Sequence, residues 1–185
     1  MTDEIDYGPL TGLIGTWKGD KGVDVAPEPD GEEVNPFYET ITFTPVGDVN
    51  NADTQVLHVL HYRQIVQRHS NDEVFHDETG YWLWEPATGT VIHSLTIPRA
   101  VSLLAGGQAT TNEDGTVTIE VESAADNPDW QIIQSPFMKK NAKTLSFKQR
   151  IVVGNGKLNY SEVTVLDIYG KTFDHTDDNS LQLER

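Results

Sequence analysis

The strongest constraint on this chain is a succession of alternating, β-branched and aromatic segments that follow one another with turn chemistry between them. The segments are Gly15–Val25, Phe37–Val46, Thr54–Val66, Glu73–Trp84 and Thr90–Thr96, then Ala100–Thr110, Thr116–Ser123, Thr144–Val153, Leu158–Leu166 and Ser180–Glu184. Pro86-Ala87-Thr88-Gly89, Glu113-Asp114-Gly115 and Gly154-Asn155-Gly156 supply turns between them. About ten strands at this spacing indicate an all-β antiparallel fold, either a closed up-and-down barrel or a sandwich. No long helical period intervenes, which argues against a parallel βαβ sheet. A short helix or turn is predicted at Tyr7–Ile14. The acidic, Pro- and Gly-rich Asp20–Val34 is predicted to be a flexible loop or a frayed strand. There is no internal repeat and no boundary, so one domain is expected over residues 1–185.

Charge narrows the partners. Asp and Glu number 29 against 13 Lys and Arg, a formal net charge of -16. Such a surface repels nucleic acid and anionic lipid, so neither is expected as a partner. The absence of cysteine excludes thiolate metal sites, disulfides and cysteine nucleophiles. With no signal pattern and no long apolar run, a cytoplasmic protein is expected.

The stretch Phe75-His76-Asp77-Glu78-Thr79-Gly80-Tyr81-Trp82 mixes titratable groups with large aromatics. On a strand, period 2 puts His76 and Glu78 on one face with Gly80, Trp82 and Trp84, and Asp77 on the other. The apparent cluster of three is therefore a pair, His76 with Glu78, readable as a structural polar pair near a barrel rim. His58-x-x-His61 likewise faces two ways on a strand and does not make a shared metal site. No nucleophile elbow, phosphate loop, dinucleotide fingerprint or His-Glu-x-x-His motif is present. No catalytic residue is assigned. A small acidic barrel of this length has room for one small apolar ligand.

Several stretches together resemble one family. Pro9-Leu10-Thr11-Gly12-Leu13-Ile14-Gly15-Thr16-Trp17-Lys18-Gly19 fits a PL-x-x-LIGTW-x-G pattern, and His76-Asp77-Glu78-Thr79-Gly80-Tyr81 fits H-x-E-[ST]-GY. Pro36-Phe37-Tyr38-Glu39 and Gly156-Lys157-Leu158-Asn159-Tyr160 follow at matching places. In order and spacing these are similar to nitrobindin-like heme-binding β-barrel domains. The resemblance implies a ten-stranded antiparallel barrel of the calycin type, like lipocalins and fatty-acid-binding proteins, with a short N-terminal capping helix. It implies heme b in the cavity, its ferric iron held by a histidine near the C-terminus and open to nitric oxide or peroxynitrite. It also implies a peroxynitrite isomerase as the enzyme class.

By the same resemblance His175 is the candidate metal ligand, and Thr16, Phe75 and His76 are candidate cofactor-binding residues. A gapless match of Leu181-x-Leu183-x-Arg185 to the family's H-L-x-A-x-L-x-R ending instead puts Asp178 at the ligand position. A three-residue insertion restores His175. Arg99, Lys148 and Arg150 are scarce cations on or beside predicted strands, and are candidates for a ligand carboxylate such as a heme propionate. Surface ion pairing is their ordinary alternative. Two further readings stay open: a non-catalytic carrier of a fatty acid or other apolar molecule, and a barrel filled by its own side chains, with Trp17, Trp82, Trp84 and Trp130 available as plugs.

Overall fold

Alternation becomes eleven strands in the computed structural model, which describes residues 5–184. Arg185, the last residue of the C-terminal pattern, lies outside the described residues. The strands are β1 (Gly15–Glu28), β2 (Gly31–Ala52), β3 (Gln55–Arg68), β4 (Val74–Glu85), β5 (Thr90–Ile97) and β6 (Val101–Thr111). Then come β7 (Val117–Ala124), β8 (Ile132–Gln134), a helix α1 (Pro136–Asn141), β9 (Ala142–Gly154), β10 (Lys157–Ile168) and β11 (Lys171–Leu183). A 3-10 helix, Gly8–Leu13, precedes them. The β1–β11 and β5–β6 pairings close ten strands into an antiparallel barrel, and β8 continues the β7 side of β6. Closure removes exposed sheet edges and gives every strand one shared interior.

Two expectations need correction. Asp20–Val34 is strand, one of its two expected forms, but neither a loop nor frayed: β1 and β2 run through it as one long hairpin, paired from Gly22↔Phe37 to Glu28↔Gly31. Its acidic residues are compatible with strand because Asp24 finds partners inside the barrel. The last strand begins at Lys171 rather than Ser180. Thr172–Asp178 is too polar to mark an apolar face, yet it pairs residue for residue with β10. The β9–β10 turn behaves as its composition predicts, with positive φ at Asn155 and Gly156, as a tight two-residue hairpin requires.

The two ends of the barrel differ. At one end the 3-10 helix buries Leu10 and Leu13 against Trp17, whose indole Nε1 donates to the Leu13 carbonyl at 2.7 Å. Trp17, Trp82, Leu60 and Ile119 fill this end, each at most 2% exposed. Burying an aromatic or leucine side chain contributes about 1.5–3 kcal/mol, so this plug is a main source of stability. The other end is open and holds a cavity, so the barrel is not filled throughout by its own side chains. Helix α1 flanks the open end. Ser135 caps it by accepting from the Met138 amide at 3.3 Å, and Met138 packs inward.

Gly80 lies where β4 and β5 approach too closely for a side chain. A Cβ there would meet the Ser94 carbonyl oxygen at 1.9 Å, and that oxygen is backbone, which cannot swing aside. Gly80→Ala should therefore destabilise the protein by about 1–3 kcal/mol in chemical denaturation. A change below about 0.5 kcal/mol, the usual range for an unconstrained site, would contradict the packing described.

Candidate functional site

The open end encloses a cavity of about 310 Å³ with two unlike walls. One wall is apolar, with Leu95, Val101, Leu103, Met138, Phe147 and Leu166. The other is polar and acidic, with Asp24, Glu78, Glu162 and Asp177 beside His76 and His175. A groove of about 900 Å³ outside the barrel, by Lys18, Tyr38 and Gln182, is larger. The inner cavity is nonetheless the candidate site, because it gathers two histidines and several carboxylates at a concave apolar surface.

Strand register builds the acidic wall. Asn35 on β2, Asp24 on β1, Asp177 on β11, Glu162 on β10 and Gln149 on β9 are successive cross-strand partners, a polar belt around half the interior. Two amides close its ends: Asn35 Nδ2 donates to Asp24 Oδ2 at 2.8 Å, and Gln149 Nε2 to Glu162 Oε2 at 3.1 Å. Arg68 donates to Asn35 Oδ1 from the rim. His175, two residues before Asp177 on the same face, brings Nε2 to 2.6 Å from Asp24 Oδ1 and 3.5 Å from Asp177 Oδ2. Burial works against the charged imidazole, but these carboxylates outweigh it and raise the His175 pKa. Burial pushes Asp177 up to about 6, although His175 pulls the other way. Glu162 is raised well above the usual carboxylate range by burial, then by the negative charges of Glu78 and Asp177.

Deeper in the barrel, two polar groups separate the cavity from the plug. Glu39 accepts from Gln64 Nε2 and from Asn179 Nδ2, each at 2.7 Å. Burial pushes it up to about 7 despite these bonds. The second is a chain. His76 Nε2 lies 3.3 Å from Glu78, Tyr62 donates its phenol proton to Glu78, and His93 Nε2 sits 2.7 Å from the Tyr62 oxygen. Tyr62 has one proton and gives it to Glu78, so His93 must donate through Nε2 and leave Nδ1 bare. Burial against Trp82, with ring centroids 4.0 Å apart, takes His93 down to about 4.

The predicted site residues do not all meet. His76, Phe75 and His175 line the cavity, and so does Arg99. Asp77 faces outward to Arg63, as period 2 requires. Asp178 is exposed on the outer face, so the inward imidazole of β11 is His175. Its main partner is Asp24, 151 residues away in sequence and not foreseen. Thr16 stands opposite in parity to buried Trp17, with its hydroxyl 3.4 Å from that of Thr42, and does not line the cavity. Lys148 and Arg150 also point outward, pairing with Glu122 at 3.1 Å and Glu120 at 3.4 Å. Sequence reasoning missed Asp24, Glu39, Tyr62, His93 and Glu162, while Asp177 was one of three neighbouring aspartates, with Asp174 and Asp178, open as a partner of His175. The available signal was a polar residue at inward parity beside Leu158 and Tyr160, or beside Leu181. For Asp24 a bulge between Gly19 and Gly22 shifts that parity and hides it.

A sequence model of the THAP4-like, heme-binding beta-barrel domain matches residues 6–183. The chain belongs to this family. Family membership agrees with the barrel, the capping 3-10 helix and the cavity at the open end. Among solved structures the fold is similar to Rv2717c from M. tuberculosis, with a TM-score of 0.72 at 21% identity, covering 97% of this chain and 100% of that one. No curated protein matches the chain. No helix among the described residues is long and apolar enough to cross a membrane.

Glu39 makes the polar interior testable by pH. Its folded-state pKa, about 7, exceeds the ordinary value of 4.5. The folded protein thus keeps this proton where the unfolded chain has lost it. The resulting stabilisation is fully present below the ordinary value and is lost as pH rises through the folded one. Relative to Glu39→Gln, the wild type should lose roughly 3 kcal/mol of unfolding free energy between about pH 4 and pH 8. A pH-independent difference would contradict the buried, protonated state.

Proposed function

We propose that the chain binds heme b in the cavity and that His175 is the iron's protein ligand. The observation carrying this reading is an imidazole on the inner face of the last strand of a heme-binding-family barrel, opposite an apolar wall. The donor set suits the group. An imidazole with a carboxylate partner is a good iron ligand, since the partner orients the ring and strengthens the donor. Asp24 would have that role at Nε2, leaving Nδ1 for the iron. Leu95, Leu103 and Phe147 offer the apolar surface that a macrocycle needs. Arg68 and Arg99 border the cavity and are the cations suited to ligand carboxylates. Arg99 is one of the three cations that charge scarcity suggested; Arg68 would join it in place of the outward-facing Lys148 and Arg150.

When bound, ferric heme would supply a coordination position for nitric oxide or for peroxynitrite, with isomerisation to nitrate as the activity. This chain's residues would bind the group, shield it with the apolar wall, and present His76 and the Glu78 carboxylate on the polar side. His76 is held toward its charged form by Glu78, which outweighs the opposing effect of burial.

Titrating hemin into the purified protein should give a saturable Soret shift at one equivalent. His175→Ala should weaken it by about tenfold or more, while Lys148→Ala and Thr16→Ala should leave it unchanged. No Soret shift, or one indifferent to His175→Ala, would remove this reading.

A further inference from the structure

The belt holds a feature that heme does not explain. Asp24, Asp177 and Glu162 are directly opposite one another on three neighbouring strands, all facing the cavity. Like charges at opposite cross-strand positions destabilise a sheet, and burial adds a desolvation cost; burial favours the neutral form of Glu162, so the charges left to be relieved are those of Asp24 and Asp177. Ordinarily a lysine or arginine relieves such a row. Here, among the described residues, His175 is the cationic partner of both Asp24 and Asp177, and no salt bridge reaches Glu162. The nearby arginine, Arg68, is directed to the Asn35 carbonyl oxygen instead.

The geometry around His175 has a second property. One ligand atom from each of Asp24, His175 and Asp177 lies within 4.8 Å of the others. Oxygen and nitrogen donors at about 2.1 Å from a divalent cation stand roughly 3–3.5 Å apart. His175 Nε2 lies 2.6 Å from the Asp24 oxygen and 3.5 Å from the Asp177 oxygen, so small side-chain rotations would admit an ion between them. Two carboxylates and one imidazole, mixed hard and borderline donors, suit a first-row divalent cation and leave coordination positions open to the cavity. Hydrogen bonds donated by the side-chain amides of Asn35 to Asp24 and of Gln149 to Glu162 hold these carboxylates in place, as ligands and their neighbours are held in metal sites.

We propose that Asp24, His175 and Asp177 form a binding site for a divalent transition-metal cation in the heme-free barrel, with Glu162 beside it as a further carboxylate. Positive charge at this point relieves the row of carboxylates. The site does not depend on the heme reading: it needs Asp177 as a ligand together with Asp24 and His175, whereas the heme reading gives no role to Asp177.

The test titrates Co²⁺ and Zn²⁺ into the metal-free, heme-free protein in excess Mg²⁺, which occupies general acidic surface sites. One equivalent should bind, with Co²⁺ giving visible absorption of imidazole and carboxylate ligation. His175→Gln and Asp177→Asn should each weaken binding by about tenfold or more. Asp178→Asn, next in sequence but facing outward, should leave it unchanged and serves as the control for surface charge. Circular dichroism identifies any variant that fails to fold, and the Co²⁺ spectrum of the wild type stands without variants. Weak, multi-site binding without imidazole ligation, or binding equally sensitive to Asp178→Asn, would overturn the proposal. Hemin titration of Asp177→Asn separates the two readings: retained hemin binding with lost cation binding is the expected pair. Loss of hemin binding in His175→Gln together with undiminished cation binding overturns the cation site alone.

Discussion

Cross-strand register in a closed barrel forces neighbours together: residues opposite one another stand about 5 Å apart and share one interior with no route to solvent except the open mouth. The row Asn35, Asp24, Asp177, Glu162 and Gln149 follows from this constraint. Once β1 pairs with β11 and β11 with β10 in this register, three carboxylates must sit side by side. His175 then has no choice of partner, because Asp24 and Asp177 are the groups within its reach. The chemistry of the cavity is thus a consequence of strand pairing, and the pairing is anchored by the apolar plug at the other end, where Trp17 and Trp82 are buried.

Division of the interior gives the barrel both stability and a site. The plug and the 3-10 helix close one end with apolar side chains. The layer formed by Glu39, Gln64 and Asn179 and the chain His76–Glu78–Tyr62–His93 pair the polar groups in the middle, leaving His93 Nδ1 without a partner. Such networks are costly when incomplete and rigid when satisfied. They set a floor beneath the cavity, so a ligand entering at the mouth meets fixed polar groups on one side and Leu95, Leu103 and Phe147 on the other. In this heme-binding family barrel a dense set of carboxylates surrounds the imidazole.

Legibility in the sequence followed the physics of alternation. Strands with largely apolar inward faces, such as β7 and β9, were readable, and on β4 parity correctly separated Asp77 from His76 and Glu78. The first half of β11 was not readable, because its inward residues, His175 and Asp177, are as polar as its outward ones, so period 2 carries no apolar signal there. Asp24 was hidden by the bulge before it and by the acidic hairpin around it. Helix α1 was missed because its six residues are too few for a helical period. Lys148 and Arg150 were candidates by charge scarcity alone, and an exposed face supplied their partners instead.

His175 links both assignments of the cavity, since one imidazole cannot ligate a heme iron and a bare cation at once. Hemin titrated into the protein with and without saturating Zn²⁺ measures this link directly. The account predicts competition, with apparent hemin affinity falling in proportion to Zn²⁺ occupancy and the effect vanishing in His175→Gln. Hemin binding of undiminished affinity to the Zn²⁺-loaded protein would contradict it, and would place at least one of the two ligands away from His175.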